Sequence, residues 1–219
     1  MTTEDVFTRA AASIIEQDTE TAMAIASEAL AAGIAPSQIM QQGFVRGIAE
    51  VGELFESGEL FLPELMMAAQ AMEGAMSITN AALGGGGRQS KGTVVLGTVQ
   101  GDVHDIGKAI VIAYLKANSY EVHDLGRDCA LERFIAEAEE HDAQIIGMSA
   151  LLTTTMEEQK KLIAALKERG LRDRFKVIVG GAPCTQRWAD QIGADAYAED
   201  ASDGVKKLDA LMEHADVAG

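Results

Sequence analysis

The sequence predicts an α/β protein in two parts: a bundle of four helices, then a doubly wound sheet of five parallel strands. Three observations predict it. Residues Thr3 to about Leu83 carry apolar side chains at helical spacing only. From Thr93 onward, short apolar runs alternate with helical patterns, the mark of strands joined by crossover helices. Between the two, Gly84-Gly85-Gly86-Gly87-Arg88-Gln89-Ser90 has no periodicity and the composition of a flexible linker. The predicted division is 1–83, 84–92 and 93–219.

Taken in order, Val6, Ala10 and Ile14 mark a first helix, and Ala22, Ile25, Ala26 and Leu30 a second. Gly33 ends the second, and Pro36-Ser37 opens the third. The third carries Ile39, Phe44, Val45, Ile48, Val51, Leu54 and Phe55 until Ser57-Gly58 breaks it. The fourth starts near Pro63 and runs through Leu65, Met66, Ala69, Met72 and Met76. Short connections make this an up-down bundle, with methionine as adaptable filler.

In the second part, strands are predicted at 94–99, 120–124, 144–149, 176–179 and 196–198. Helices are predicted at 106–117, 131–141, 156–169, 185–192 and 204–214. Right-handed crossovers then give a flavodoxin/Rossmann-like parallel sheet. Its strand-end loops, at 102–107, 149–155, 180–183 and 199–202, should surround one site.

Composition bounds the function. Hydrophobic residues make up 47% of the 219 residues, enough for a sizeable core. The net charge of −16 argues against nucleic acid or an anionic membrane, since both need a basic face. It suits a soluble protein that docks on other proteins. Met1-Thr2-Thr3-Glu4-Asp5 is acidic where a signal peptide is basic, and no apolar run is long enough to span a bilayer. A cytoplasmic location is expected. Cys129 and Cys184 match no metal or redox spacing and read as reduced thiols.

The stretch that carries chemistry is Gly101-Asp102-Val103-His104-Asp105-Ile106-Gly107, between the first strand of the sheet and its helix. Asp102 can hold one imidazole nitrogen of His104 from two residues away, which fixes the tautomer and makes the other nitrogen a better metal donor. Gly101 and Gly107 allow a bulky group to come close. This pattern reads as a single axial ligand for a large metal cofactor. A simpler reading is that Asp102 or Asp105 caps the following helix. Farther on, Ser149-Ala150-Leu151-Leu152-Thr153-Thr154-Thr155 suits a slot for a planar base with polar edges. Thr155 followed by Glu158 also fits a helix capping box. His123, His141 and His214 lack such a loop context and read as structural or exposed, and Trp188 as packing.

Asp102-Val103-His104-Asp105-Ile106-Gly107 resembles the D-x-H-x-x-G signature of cobalamin-binding domains. Ser149-Ala150-Leu151 and Gly180-Gly181 match that family's later motifs, in the same order. The chain is most similar to corrinoid proteins of methyltransferase systems and to the cobalamin module of methionine synthase, most strongly over 51–183. The resemblance implies a base-off cobalamin or related corrinoid whose cobalt is held by His104. Ser149, Leu151, Thr153, Gly180 and Gly181 would line the channel for its nucleotide tail. Ala201, in Asp200-Ala201-Ser202, resembles a late contact near that tail, although helix capping by Ser202 or Asp203 explains the segment equally well.

The resemblance also makes the helical bundle a cap, in which Phe55 and Leu62 shield the methyl group unless they are simply bundle core. Thr155 stands where methionine synthase has a Ser, the third member of an Asp–His–Ser relay. It keeps the hydroxyl and adds a methyl. The implied function is a methyl carrier. It accepts a methyl group on Co(I) from a donor-specific methyltransferase. It passes it from methyl-Co(III) to a second methyltransferase acting on tetrahydrofolate or a thiol, and a reductive activase is a further partner. The bundle would swing aside for each partner, a motion the glycine linker permits. A mutase subunit or a cobalamin-dependent sensor shares the loop motifs. The first needs a substrate barrel, and the second a DNA-binding region and usually an aromatic-rich cap.

Overall fold

The structure, a computed structural model, describes residues 2–82 and 90–216, with side chains as far as Glu213. The predicted linker residues Gly84 to Gln89 and the side chain of His214 lie outside the described residues. The chain forms two compact units, a helical one up to Ser90 that also takes in Lys116–Ser119, and an α/β one made of Lys91–Leu115 and the chain from Tyr120 onward.

In the helical unit, α1 (Thr3–Ile15) starts at a capping box in which Thr2 and Asp5 each bond the other's backbone N–H. The Asp18 side chain caps α2 (Thr19–Ala31) through Thr21 N–H. Gly33, at φ +79°, closes α2, and Pro36 opens α3 (Pro36–Ile39) as predicted. The third predicted helix is not uniform. A π-helical turn, Met40–Phe44, joins α3 to α4 (Val45–Glu56). The Glu64 carboxylate accepts Phe61 N–H at the start of α5 (Leu62–Ala82). α2 packs on α5, and α1 on α2 and α4. Ile14, Ile25, Ile39, Phe44, Leu65 and Met72 are fully buried.

The α/β unit alternates β1 (Gly92–Thr98), α6 (Ile106–Ala117), β2 (Tyr120–Asp124), α7 (Leu131–Glu140) and β3 (Ile145–Ser149). It continues with α8 (Met156–Glu168), β4 (Lys176–Gly180), α9 (Gln186–Ile192), β5 (Ala196–Ala198) and α10 (Ala201–Asp216). The sheet is wholly parallel, in the order β2-β1-β3-β4-β5. This is the flavodoxin-like arrangement, with its switch point between β1 and β3. Val95, Ile146, Val177 and Val179 are buried between the sheet and α7, α8 and α9.

Register explains how distant motifs meet. Thr98 pairs with Ser149, Ser149 with Gly180, and Gly180 with Ala198, so four strands end on one row. The loops that follow share that edge. Most bounds in the α/β unit fall within one residue of expectation, and two starts differ by more. β1 starts at Gly92 rather than 94 and ends at Thr98, and Val99 forms only a lone bridge to Cys129. α10 starts at Ala201 rather than 204, because Asp200 accepts Asp203 N–H at 2.8 Å. Asp203 in turn accepts Glu199 N–H, and Gly204 packs against Ala198 inside the helix. Among the described residues, no helix is long and apolar enough to cross a membrane.

Candidate functional site

The crevice at the β1/β3 switch point is bridged by one carboxylate. Asp102 is fully buried on the loop after β1. Its Oδ1 lies 2.7 Å from His104 Nδ1 and accepts His104 N–H at 3.1 Å. Its Oδ2 reaches across to the loop after β3. There it accepts Leu151 N–H at 2.7 Å, Leu152 N–H at 3.3 Å and the Thr155 hydroxyl at 2.8 Å. Burial alone would raise the Asp102 pKa. The Leu151 N–H, the His104 imidazole, the Thr155 hydroxyl and the His104 N–H outweigh it and hold the carboxyl well below the usual carboxylate range. An ionised Asp102 accepts from Nδ1–H, which leaves Nε2 as the free lone pair of a neutral His104.

His104 itself is accessible, with 47% of its side chain exposed. Its carbonyl is pinned by the buried Thr98 hydroxyl at 3.0 Å. Around it stand large apolar side chains facing outward: Val103, Ile106, Leu151 and Leu152 are all exposed. Exposed aliphatics clustered around one polar atom are the profile of a ligand surface. A Cβ built on Gly107 would meet open space, and Gly101 needs its glycine for a φ of +80°. Among the described residues, no group of three His, Cys, Asp or Glu gathers to cage a metal. The arrangement fits a broad, largely apolar ring presented to one nitrogen donor.

The other predicted residues fall as follows. Ser149 is half-buried at the end of β3 and Thr153 is exposed. Gly181, at φ +116°, sits so close to β3 that a Cβ would lie 1.9 Å from the Ala150 carbonyl oxygen, so backbone contact requires this second glycine of the pair, whereas a Cβ on Gly180 would meet only the Ala198 carbonyl oxygen at 3.4 Å. Asp105 opens α6 by accepting Ala109 N–H through its carbonyl. Ala201 is buried in the first turn of α10, and the cap of that helix is Asp200 rather than Ser202 or Asp203. In the helical unit, Phe55 and Leu62 are both half-buried at the α4–α5 connection.

The capping box predicted at Thr155 does not form. Thr155 precedes α8, but its side chain caps no N–H of that helix, because the hydroxyl is engaged with Asp102 and the Leu152 carbonyl. Sequence reading also missed Asp128, whose carboxylate accepts Gly101 N–H at 2.7 Å and whose N–H donates to the Asp102 carbonyl at 3.0 Å. Gly126-Arg127-Asp128 reads only as a turn. Gln159, buried one helical turn beyond Thr155, was missed as well. It donates to the Met148 carbonyl and accepts from Trp188 Nε1 beneath the paired glycines.

A family model described as a B12 binding domain matches residues 92–206, and a second of the same description matches residues 6–79. Dimethylamine corrinoid protein 3 of Methanosarcina acetivorans is 51% identical over 187 residues, covering 85% of this chain and 88% of that protein. The dimethylamine corrinoid protein of Methanosarcina barkeri is 48% identical over 213 residues, covering 97% and 100%. A chain in the crystal structure of the methanol:cobalamin methyltransferase complex from Methanosarcina barkeri superimposes with a TM-score of 0.82 at 32% identity, covering 97% of this chain and 81% of that one. The buried Asp102, the outward-facing His104 and these matches together assign the chain to the family of cobalamin-binding corrinoid proteins of methyltransferase systems.

Proposed function

We propose that this protein is a corrinoid methyl carrier that receives a methyl group at one methyltransferase and yields it at a second. The observation that carries the reading is His104: its Nδ1 is locked by a buried, ionised carboxylate while the other side of the ring is open to solvent among exposed aliphatics. A bound corrinoid supplies a cobalt centre able to take up and release a methyl group, and the protein supplies ligand, cover and docking. In this reading His104 Nε2 would hold the cobalt of a base-off corrinoid. Asp102 orients the ring and shares the Nδ1 proton, and the Thr155 hydroxyl and Leu151 N–H steady the carboxylate. Val103, Ile106, Leu151 and Leu152 exclude water from the ring that rests on them. Ser149, Leu151, Thr153, Gly180 and Gly181 would line the slot for the nucleotide tail, with Ala201 as a further contact. Phe55 and Leu62, by their resemblance to the family's cap residues, would shield the methyl group.

The relatives named for dimethylamine support a methylated amine as donor, selected by the partner methyltransferase rather than by this chain. The acceptor, tetrahydrofolate or a thiol, belongs to the second methyltransferase, and a reductive activase restores carrier that has been oxidised. The free, buried Cys129 and Cys184 support a cytoplasmic setting. Electron paramagnetic resonance of the holoprotein in its Co(II) state tests the central point. The wild type should show splitting by one histidine nitrogen, and His104→Ala should lose it. Splitting that persists in His104→Ala would refute the assignment.

A further inference from the structure

The connection between β2 and α7 grips the His104 loop from outside. Gly101 N–H donates to Asp128 Oδ1 at 2.7 Å, and Asp128 N–H donates to the Asp102 carbonyl at 3.0 Å. One residue earlier, Arg127 Nε lies 3.5 Å from Asp105 Oδ2. Behind them the buried Lys108 pairs with Asp124, the last residue of β2. Asp128 thus holds the Gly101–Asp102 pair through both its side chain and its backbone. It does so from a φ of +51°, a region that residues other than glycine rarely adopt and that Asn and Asp tolerate best. A residue that merely joined β2 to α7 would need neither that backbone nor a carboxylate, since Gly126 already supplies a left-handed position at φ +79°. Strain of this kind persists where surrounding contacts demand it, and here the demand comes from the turn that carries Asp102.

We propose that Asp128 is a positioning residue for His104. It fixes the Gly101–Asp102 turn, the turn aims the Asp102 carboxylate, and the carboxylate sets the tautomer and direction of the imidazole. Asp128 does not touch the imidazole; it acts through two links, each a hydrogen bond of 2.7 Å. The inference rests on the reading of His104 as the corrinoid ligand, and extends it to a residue on a third strand-end loop.

Three variants separate this role from loop building. Asp128→Asn keeps both an acceptor and tolerance of the left-handed backbone. Asp128→Gly removes the acceptor and relieves the strain together, and Asp128→Ala removes the acceptor and keeps the strain. Side-chain nitrogen NMR of the apoprotein reads the His104 tautomer with no cofactor present. Wild type and Asp128→Asn should show the Nδ1–H form. Asp128→Gly, with circular dichroism and Tm like the wild type or better, should show a mixture of tautomers. Its holoprotein should release corrinoid about tenfold faster, the low end of the range for outer partners of a metal ligand, and Asp128→Asn should restore retention. If Asp128→Gly keeps wild-type His104 nitrogen signals and wild-type retention, the proposal is overturned and Asp128 only shapes its loop. Failure of the ligand reading is seen separately: a wild-type Co(II) spectrum without histidine nitrogen splitting would sink that reading and leave the apoprotein tautomer result unaffected.

Discussion

The Thr155 hydroxyl has one proton and two acceptors in reach, Asp102 Oδ2 at 2.8 Å and the Leu152 carbonyl at 2.9 Å. Removing the hydroxyl takes a hydrogen bond from a fully buried carboxylate, and such a loss is costly. Thr155→Val should therefore destabilise the apoprotein by about 1–3 kcal/mol in denaturant unfolding, while Thr155→Ser stays near wild type. Equal loss in both would mean that the methyl packing of Thr155, not its hydroxyl, matters. The two thiols give a second check at this scale. Burial pushes both the Cys129 and the Cys184 pKa up, so each remains a protonated thiol, and a poor nucleophile, at pH 8. Iodoacetamide at pH 8 should label neither in the native apoprotein and both after denaturation. Asp102 and His104 were legible in the sequence because they lie two residues apart in a glycine-flanked loop. The Thr155 contact was not. A Thr followed three residues later by Glu looks like a helix cap, and only the meeting of the β1 and β3 loops turns its hydroxyl toward a carboxylate 53 residues away.

At the scale of elements, the sheet was readable because alternation of strand and helix admits few arrangements, and the parallel crossovers then place all strand ends on one edge. Boundaries were less readable where a side chain sets them, as Asp200 does for α10. The π turn of Met40–Phe44 left no trace in the apolar spacing, since one extra residue per turn only rotates the buried face. The turn lies where the helix packs on α1. Gly43 and Gly47 let this helix press on α1: a Cβ on Gly47 would lie 2.4 Å from the Ala11 carbonyl oxygen, and one on Gly43 2.8 Å from Ala10 Cβ. The Gly47 contact is with backbone and cannot be relieved by a rotamer change. Gly47→Ala should cost about 1–3 kcal/mol, read as a lower Tm of the apoprotein, despite alanine's better helix propensity. A raised Tm would show that α1 and α4 separate freely. Gly181→Ala meets the same kind of obstacle at the Ala150 carbonyl, with a positive φ added, and should be more damaging than Gly47→Ala.

For the whole molecule, charge governs how it meets other proteins. The chain carries 34 acidic and 18 basic residues, a net charge of −16 that was legible from composition alone. From Gly47 to Ala82 there are six glutamates and no basic residue, and Phe61, Met66 and Met67 are exposed within that stretch. On the proposed reading, a carrier that meets two methyltransferases in turn gains from long-range attraction, because steering speeds encounter without making the complex too stable to part. Such steering is screened by salt: the Debye length falls from about 30 Å at 0.01 M to about 10 Å at 0.1 M. The experiment that tests the proposed reading uses reduced holoprotein, a donor methyltransferase and its methylated amine, with the corrinoid spectrum as readout. The spectrum should shift only when enzyme and donor are both present, and shift back when a second methyltransferase and its acceptor are added. The second-order rate of the forward step should fall by about tenfold or more between 0.01 M and 0.2 M salt, with little change in single-turnover rate at saturation. Lys substitution at Glu53 and Glu56, exposed on α4, should flatten that salt dependence without altering the corrinoid spectrum of the free protein. A forward rate that rises with salt, or a spectral shift with donor but no enzyme, would remove the carrier from this scheme, since the first denies an electrostatic encounter and the second makes the chain its own methyltransferase.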